Sequence, residues 1–263
     1  MKQNTTVAII PARMGSSRFP GKPLANIHQM PMIGHVYLRT CMCQMLTDTY
    51  VATCDQEIYD YIHSIGGKAI MTADTHERCT ERTAEAMITI EKTTNNRIDY
   101  VIMVQGDEPM ITPEMVENSV HAIVNTSDVN VVNSMAKLQT IEEFNDPNEV
   151  KVVTDLEENA VYFSREPIPS LKKGGNPVPM LKQVCIISFK REYLLKFNAM
   201  DETPLERIES IDMLRIIEHG DKVKMVMSDL NTYSVDTKSD LEKVTGLMKD
   251  DPLIQKYINS LMK

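Results

Sequence analysis

The sequence predicts an α/β fold in which a mostly parallel, Rossmann-like sheet is flanked by helices. Short apolar runs alternate with helix-like segments through the first half of the chain. These runs are apolar throughout, which is typical of strands that helices cover on both faces. The second half alternates less regularly, and its strand-like segments predict an antiparallel layer inserted on the parallel core.

Four strands and four helices are predicted in the first half. The strands are Val7–Ile10, Thr49–Thr53, Ala69–Thr72 and Tyr100–Val104. The helices cover Pro31–Met45, Glu57–Ile65, about Glu77–Lys92, and a segment that opens at Thr112-Pro113. Glycines 66 and 67 end the second helix, and a threonine cap followed by proline begins the fourth. Ligands bind beyond the carboxyl ends of the strands in such sheets.

The second half is predicted to contain five strands and two helices. The strands are Val129–Leu138, Val150–Thr154, Ala160–Ser164, Val184–Phe189 and Val223–Met227. The helices cover Glu206–His219 and Ser239–Met248, and residues 174–177 form an exposed turn. No break in composition separates the two halves, so we expect a single domain over residues 1–263.

Composition and charge narrow the class of function. The formal net charge of −9 argues against broad nucleic-acid binding, which needs a basic surface, but it leaves room for a small anionic ligand. No apolar run approaches the roughly 20 residues of a membrane-spanning helix. The first residues lack the apolar core of a signal peptide, and the five cysteines show no framework spacing. We therefore expect a cytosolic protein with free thiols.

A basic, glycine-containing loop over residues 11–23 directly follows the first predicted strand. Arg13, Arg18 and Lys22 supply cationic donors, while Gly15 and Gly21 let backbone N–H groups approach a ligand closely. The loop is not a Walker A motif, because five residues separate the glycines and proline follows the lysine. The dinucleotide fingerprint is also absent. A solvated basic loop is the alternative, but the position after a buried strand favours a triphosphate site.

Two acidic positions are candidate metal ligands. Asp107 follows the fourth apolar strand, where a side chain faces the ligand crevice of a parallel sheet. Asp236 precedes the helices at the end of the chain. A triphosphate arrives with Mg²⁺, which prefers oxygen ligands. The alternatives are a turn at Gly106-Asp107 and a helix cap at Asp236 or Thr237.

Residues 9–24 read IIPARMGSSRFPGKPL, and this run resembles the signature of the CMP-sugar synthetases, most of all the 3-deoxy-manno-octulosonate (Kdo) cytidylyltransferases. Residues 31–37 (PMIGHVY), 51–55 (VATCD), 105–109 (QGDEP) and 161–169 (VYFSREPIP) continue the match. The resemblance implies a nucleotidyltransferase fold and Mg²⁺-dependent transfer of CMP from CTP to an acidic sugar, with release of pyrophosphate. It also implies a product used for cell-surface polysaccharide such as lipopolysaccharide.

The resemblance also assigns roles to individual residues. It implies CTP contacts from Ala12, Arg13, Arg18, Lys22, Ala52, Thr53, Met71, Thr72, Arg82 and Gln105. It implies that the catalytic residues are Arg13, Lys22, Asp107 and Asp236, of which the two aspartates hold Mg²⁺. It implies contacts to the sugar from Gln105, Arg165, Gln183 and Asp212, and for Arg165 the alternative is a surface arginine beside a proline turn. Finally, it implies a homodimer that pairs through a region around residues 155–190.

Four positions depart from the pattern of the Kdo enzymes, and the resemblance assigns the histidine and the glutamine lost among them to the acceptor side. Residues 78–82 read RCTER instead of SGTDR, residues 182–185 read KQVC instead of KHIG or KHVG, residues 211–215 read IDMLR instead of LEQLR, and Ser234 replaces glycine. Alternatives are therefore a different sugar acid, such as a nonulosonate or 8-amino-Kdo, or an inactive nucleotide-binding paralogue. An NTP-hydrolysing or kinase-like protein is disfavoured by the spacing of the loop.

Overall fold

The computed structural model describes a single chain over residues 4–16, 18–173, 178–228 and 230–261, with side chains up to residue 258. The turn predicted at residues 174–177 lies outside the described residues.

Eleven strands occur in the described part of the chain. They are β1 (Thr6–Ala12), β2 (Asn26–Ile27), β3 (Met30–Pro31), β4 (Asp48–Thr53), β5 (Ala69–Met71), β6 (Tyr100–Val104), β7 (Val131–Lys137), β8 (Lys151–Thr154), β9 (Ala160–Ser164), β10 (Leu181–Lys190) and β11 (Lys224–Ser228). All nine strands predicted from the sequence are present, with bounds that differ by a few residues at most.

Ten α-helices accompany these strands within the same described ranges. They are α1 (Met32–Cys41), α2 (Gln56–Ser64), α3 (Cys79–Thr94), α4 (Pro113–Asn125), α5 (Ile141–Asn145), α6 (Arg191–Asn198), α7 (Pro204–Glu209), α8 (Met213–Glu218), α9 (Lys238–Leu247) and α10 (Pro252–Leu261). Two 3₁₀ turns cover Lys22–Leu24 and Met248–Asp250. The side chain of Thr112 accepts a hydrogen bond from the Met115 N–H, which confirms the predicted cap of α4.

The main sheet has the strand order β11-β7-β10-β6-β1-β4-β5, and β8 and β9 extend from β10 as a ribbon. Within that order β10 runs antiparallel to β6 and β7, while the other pairs are parallel. The predicted α/β fold with an antiparallel insertion is therefore confirmed. This topology brings the carboxyl ends of β1 and β6 and the amino end of β10 to one edge of the sheet.

Helices cover both faces of the sheet, as fully apolar strands require. Alternate residues of β1 enter opposite layers: Val7 and Ile9 pack in one core, Ala8 and Ile10 in the other. A third apolar cluster joins the β2–β3 hairpin to α9 and α10. No helix in the described ranges has both the length and the apolar character to span a membrane.

The single helix predicted over Glu206–His219 is wrong, because the structure contains two short helices there. Helix α7 ends at Glu209, and Ser210 follows with φ of 55°, in the left-handed region. Backbone in that region cannot continue a right-handed helix. The resulting turn at residues 210–212 reaches the edge of the sheet where the ligand site was expected.

Candidate active site

Two adjoining cavities lie at the edge formed by the carboxyl ends of β1 and β6. Cavity A lies between the loop after β1, the start of α3 and residues 105–107. Cavity B lies between the start of α3, the amino end of β10 and the turn at residues 210–213. Both cavities are lined by Arg18, Arg78, Gln105, Asp107 and Asp236, so a molecule in one would touch a molecule in the other.

Three hydrogen bonds hold the loop after β1: one ties it to Asp55 after β4, and two fold it back on itself. The Met14 N–H donates to Asp55 Oδ2 at 2.7 Å, and the Gly21 N–H donates to the Met14 carbonyl at 3.0 Å. The Leu24 N–H then donates to the Gly21 carbonyl at 3.0 Å. Gly21 has φ of 75°, a conformation that glycine adopts without strain. The loop therefore returns Lys22 to the edge of the sheet.

Lys22 lies between the two predicted metal-binding aspartates. Its Nζ is 2.8 Å from Asp107 Oδ2 and 3.1 Å from Asp236 Oδ1, and it donates to the Val235 carbonyl at 2.8 Å. The Val235 N–H in turn donates to the Asp107 carbonyl at 2.9 Å, which ties the two acidic segments together. Arg18 also reaches Asp236 Oδ1, at 2.8 Å. The predicted convergence of these cations and carboxylates is present.

The electrostatics at Lys22 favour a fixed positive charge. Burial lowers the pKa of Lys22, but Asp107 and Asp236 raise it by more, so its pKa lies above the ordinary value. Thr237, not Asp236, caps α9 by accepting a hydrogen bond from the Asp240 N–H. The carboxylate of Asp236 is therefore directed to the cavities rather than used as a cap.

The two aspartates suit a divalent cation bound together with a ligand. Asp107 Oδ1 is buried and has no hydrogen-bond partner among the described residues. Its Oδ2 and Asp236 Oδ1 already share one cation, the ammonium of Lys22. In the part of the chain that the structure describes, no three His, Cys, Asp or Glu side chains converge as a metal site. Since Mg²⁺ usually combines one or two carboxylates with phosphate oxygens and water, two aspartates are a fitting protein contribution.

Three arginines at the cavities have no ion-pair partner among the described residues: Arg13, Arg82 and Arg165. Arg82 lines cavity A although only 3% of it is exposed. It donates to the Thr72 hydroxyl and to the Ala73 carbonyl at 3.1 Å, but its Nη2 meets no acceptor in the described residues. A buried guanidinium N–H that has no hydrogen-bond acceptor is costly. An anionic ligand would relieve that cost.

Arg165 brings to cavity B a guanidinium that has no salt-bridge partner among the described residues. Its Nε donates to the Glu209 carbonyl at 2.8 Å, and its Nη1 donates to the Pro147 carbonyl at 3.0 Å. These acceptors are neutral and orient the guanidinium without cancelling its charge. Gln105 and Gln183, also predicted to contact the sugar, line the same cavity.

Four residues predicted to contact CTP do not line either cavity. Ala52 and Thr53 are fully buried in β4. Met71 is 42% exposed at the end of β5, and Thr72 is the partner of Arg82. The structure thus gives Thr72 a supporting role, to orient Arg82, while contacts of these four to the base or ribose stay a prediction.

Asp212 lies in the wall of cavity B, where it is already engaged. It is 3.2 Å from the guanidinium of Arg78 and accepts a hydrogen bond from the Thr80 hydroxyl, also at 3.2 Å. Burial raises the pKa of Asp212, and Arg78 opposes that shift. Arg78 also pairs with Glu202 at 3.0 Å. Arg78 was not predicted as a site residue. The sequence signal that could have identified it is the arginine at position 78, where the Kdo enzymes usually have serine.

Glu108 is a second site residue that the sequence did not single out. It is buried in the wall of cavity B, where it accepts hydrogen bonds from the Thr232 hydroxyl at 2.9 Å and the Cys185 N–H at 3.4 Å. Burial raises the pKa of Glu108 to about 7, against the opposing charge of Lys182. Its position next to Asp107 at the end of β6 was the only sequence signal.

Known proteins are similar to this chain over most of its length. A protein-family model described as cytidylyltransferase matches residues 7–225. The 3-deoxy-manno-octulosonate cytidylyltransferase of Geotalea uraniireducens is 38% identical over 252 residues, which cover 92% of this chain and 98% of the relative. The enzyme of that name from Fusobacterium nucleatum is 39% identical over 245 residues, or 93% and 97% of the two chains.

Solved structures share the fold. A CMP:2-keto-3-deoxy-manno-octonic acid synthetase complexed with CTP matches with a TM-score of 0.83 and 36% identity, covering 93% of this chain and 98% of that one. A cytidylyltransferase from Leptospira borgpetersenii matches with a TM-score of 0.62 at 16% identity, covering 93% and 87%, which indicates a common fold alone. This chain therefore belongs to the cytidylyltransferase family, among relatives that carry the name 3-deoxy-manno-octulosonate cytidylyltransferase.

Proposed function

We propose that this protein transfers CMP from CTP to Kdo and releases pyrophosphate. The observation that carries the proposal is the pair of arginines in cavity A, Arg13 and Arg82, neither of which has a carboxylate within salt-bridge distance among the described residues. Arg165 offers a third such charge in the adjoining cavity B. Two anionic ligands, one in each cavity and meeting at Gln105 and Asp107, match a triphosphate and a sugar acid.

In the proposed reaction, cavity A holds the triphosphate and the protein acts mainly by position and charge. Reactions of this kind need little covalent participation from the enzyme. Arg13, Arg82 and Lys22 would offset the negative charge that grows on the leaving pyrophosphate. Arg82 is well suited to this role, since Thr72 and the Ala73 carbonyl hold it in place before any ligand arrives.

Cavity B would hold the sugar acid, with Arg165 as the partner of its carboxylate. The anomeric hydroxyl oxygen would form a bond to the α-phosphorus while the bond from that phosphorus to the pyrophosphate oxygen breaks. The hydroxyl proton leaves to solvent or to a neighbouring base. Gln105 lines both cavities and is therefore placed to contact both substrates.

We further propose that Asp107 and Asp236 hold Mg²⁺ together with the phosphates. The bound ion would stabilise negative charge on the phosphate oxygens and favour ionisation of the attacking hydroxyl. This assignment is supported by Asp107 Oδ1, which has no hydrogen-bond partner in the part of the chain that the structure describes. A homodimer formed around residues 155–190 is a further part of the proposal, supported by the exposed apolar side chains of Leu156, Val161 and Leu171 in that region. The product would serve cell-surface polysaccharide synthesis.

A pyrophosphate-release assay tests the proposal. The purified protein is mixed with Mg²⁺, with CTP, UTP or ATP, and with Kdo, 8-amino-Kdo or a nonulosonate. We expect release with CTP and Kdo, loss of release when EDTA is added, and a kcat at least about 100-fold lower for Asp107→Asn with CTP binding retained. Failure of every sugar acid with all three nucleotides would contradict the proposal, and CTP binding without release would favour an inactive paralogue.

A further inference from the structure

A β-bulge interrupts strand β10 where it borders cavity B. The register of β10 against β7 shifts between Val184 and Ile187. Bulges of this kind re-aim side chains and are frequent beside active sites. Here Cys185 donates its N–H to Glu108 Oε1 at 3.4 Å, and its carbonyl accepts the Gln105 N–H at 3.0 Å. The irregular backbone is thus connected directly to two residues of the cavity wall.

Asn133 on β7 binds the other backbone groups of the bulge. It is completely buried, and its Nδ2 donates to the carbonyls of Val184 at 2.8 Å, Ile186 at 3.3 Å and Ser134 at 3.0 Å. Carbonyl oxygens only accept hydrogen bonds, so three of them around one atom identify that atom as the amide nitrogen. The Oδ1 of Asn133 must therefore point the other way.

The Oδ1 of Asn133 determines how Gln183 is oriented. It accepts a hydrogen bond from Gln183 Nε2 at 2.6 Å. Gln183 lines cavity B, and its own Oε1 accepts no hydrogen bond from the described residues. A free Gln183 side chain would exchange the two ends of its amide. With Asn133 in place, Gln183 Nε2 stays hydrogen-bonded to Asn133 and Gln183 Oε1 is available to a ligand in the cavity.

We propose that Asn133 is a positioning residue for the sugar acid, because it holds Gln183 with its amide oxygen available to accept a hydroxyl of the acceptor. This inference rests on the proposed function and extends it. It predicts that the preferred acceptor offers a hydroxyl at the position facing Gln183. An analogue that lacks this hydroxyl would leave the Gln183 oxygen unpaired and should be a poorer substrate.

A double-mutant cycle with Asn133→Ala and Gln183→Ala tests this inference. Pyrophosphate release gives kcat and KM for Kdo and for CTP in the wild type, both single variants and the double variant. We expect each single variant to raise the KM for Kdo about tenfold and to leave the KM for CTP unchanged. A tenfold rise corresponds to the loss of about one hydrogen bond. Because Asn133 acts through Gln183, the double variant should be no worse than Gln183→Ala alone.

The matched control is Ser188→Ala. Ser188 also lies on β10 but does not line cavity B, and the change removes its buried hydrogen bond to Ser119 of α4. It should lower the melting temperature and leave the KM for Kdo unchanged. Asn133→Ser replaces Asn133→Ala in the cycle if the alanine variant does not fold. The role of Asn133 is overturned if the KM for Kdo rises about 100-fold in the double variant, as expected for two independent effects. It is also overturned if the KM for CTP rises as much as the KM for Kdo. A wild-type protein without turnover would instead overturn the proposed function.

Discussion

Lys22 supplies a cation to two carboxylates that come from distant parts of the chain, Asp107 and Asp236. A divalent ion that binds the same oxygens must first displace the ammonium. The phosphates of CTP would offer the ammonium a new partner, so the nucleotide should make metal binding easier. Binding of the two ligands is then coupled, and the coupling must be reciprocal.

The Lys22→Gln variant tests this coupling. Without nucleotide, we expect it to bind free Mn²⁺ at least about tenfold more tightly than the wild type, a difference of about 1.4 kcal/mol, because no ammonium competes for the carboxylates. Electron paramagnetic resonance of unbound Mn²⁺ measures the affinity directly. Lys68→Gln is the matched control, since it removes an exposed lysine paired with Asp48 and the same single charge. Equal Mn²⁺ affinities in wild type and Lys22→Gln would contradict the competition.

The charged residues of the site were predictable from the sequence, whereas several residues that hold them in place were not. Arg13, Lys22 and Asp107 directly follow strands or lie in a motif, so their position at the sheet edge was predictable. Asn133 and Asp55 were not predictable in the same way. Their partners, Gln183 and Met14, lie 50 and 41 residues away, and only the folded chain brings each pair together.

At the scale of elements, the apolar strands were predicted correctly, but the helix predicted over Glu206–His219 was wrong and the short helices α5 and α6 were not predicted. Ile208, Ile211 and Leu214 recur every three residues and imitate one continuous helix. The helix is interrupted at Ser210, whose backbone is left-handed. Serine has no preference for that conformation, so the interruption could not be predicted from the residue type. The β2–β3 hairpin was also missed. A helix of eight residues such as α6 and strands of two residues such as β2 are too short to show a clear periodic pattern.

The loop after β1 depends on the left-handed conformation of Gly21. We expect Gly21→Ala to lower the free energy of unfolding by about 1 kcal/mol and to raise the KM for CTP, because a Cβ disfavours a φ of 75° and the turn carries Lys22. Thermal unfolding and pyrophosphate-release kinetics measure the two effects. Gly15→Ala is the control in the same loop: its φ is not positive, and an added Cβ would meet no atom within 4 Å. Equal stability losses in both variants would contradict the conformational explanation.

On the scale of the whole molecule, residues from the first and the last parts of the chain together form the site. Asp236 reaches the cavities because α9 and α10 pack on the β2–β3 hairpin and on α1. Arg39 of α1, fully buried, pairs with Asp251 just before α10. The protein carries a net charge of −9, yet the arginines that lack an ion-pair partner within the described ranges lie at the cavities. Local arrangement, rather than total charge, therefore decides which ligand this molecule attracts.

His35 makes this packing sensitive to acid. It is fully buried on α1, where its Nδ1 lies 2.6 Å from the Tyr257 hydroxyl of α10 and its Nε2 lies 2.9 Å from the Ile27 carbonyl of the hairpin. Burial, with a smaller contribution from the charge of Arg39, lowers the pKa of His35 to about 4. The unfolded chain takes up a proton near the ordinary pKa of about 6.5, so the stabilisation present above that pH is lost as the pH falls towards 4.

We therefore expect the wild type to lose about 2 kcal/mol of unfolding free energy through His35 between pH 7.5 and pH 5.0. His35→Gln cannot take up this proton and should lack that part of the pH dependence, even if it is less stable at pH 7.5. Urea unfolding at the two pH values measures the difference. His63→Gln, which replaces an exposed histidine of α2, should keep the wild-type dependence. If His35→Gln loses as much stability as the wild type between the two pH values, acid sensitivity resides in other groups and the connection from α1 to α10 does not depend on a neutral imidazole.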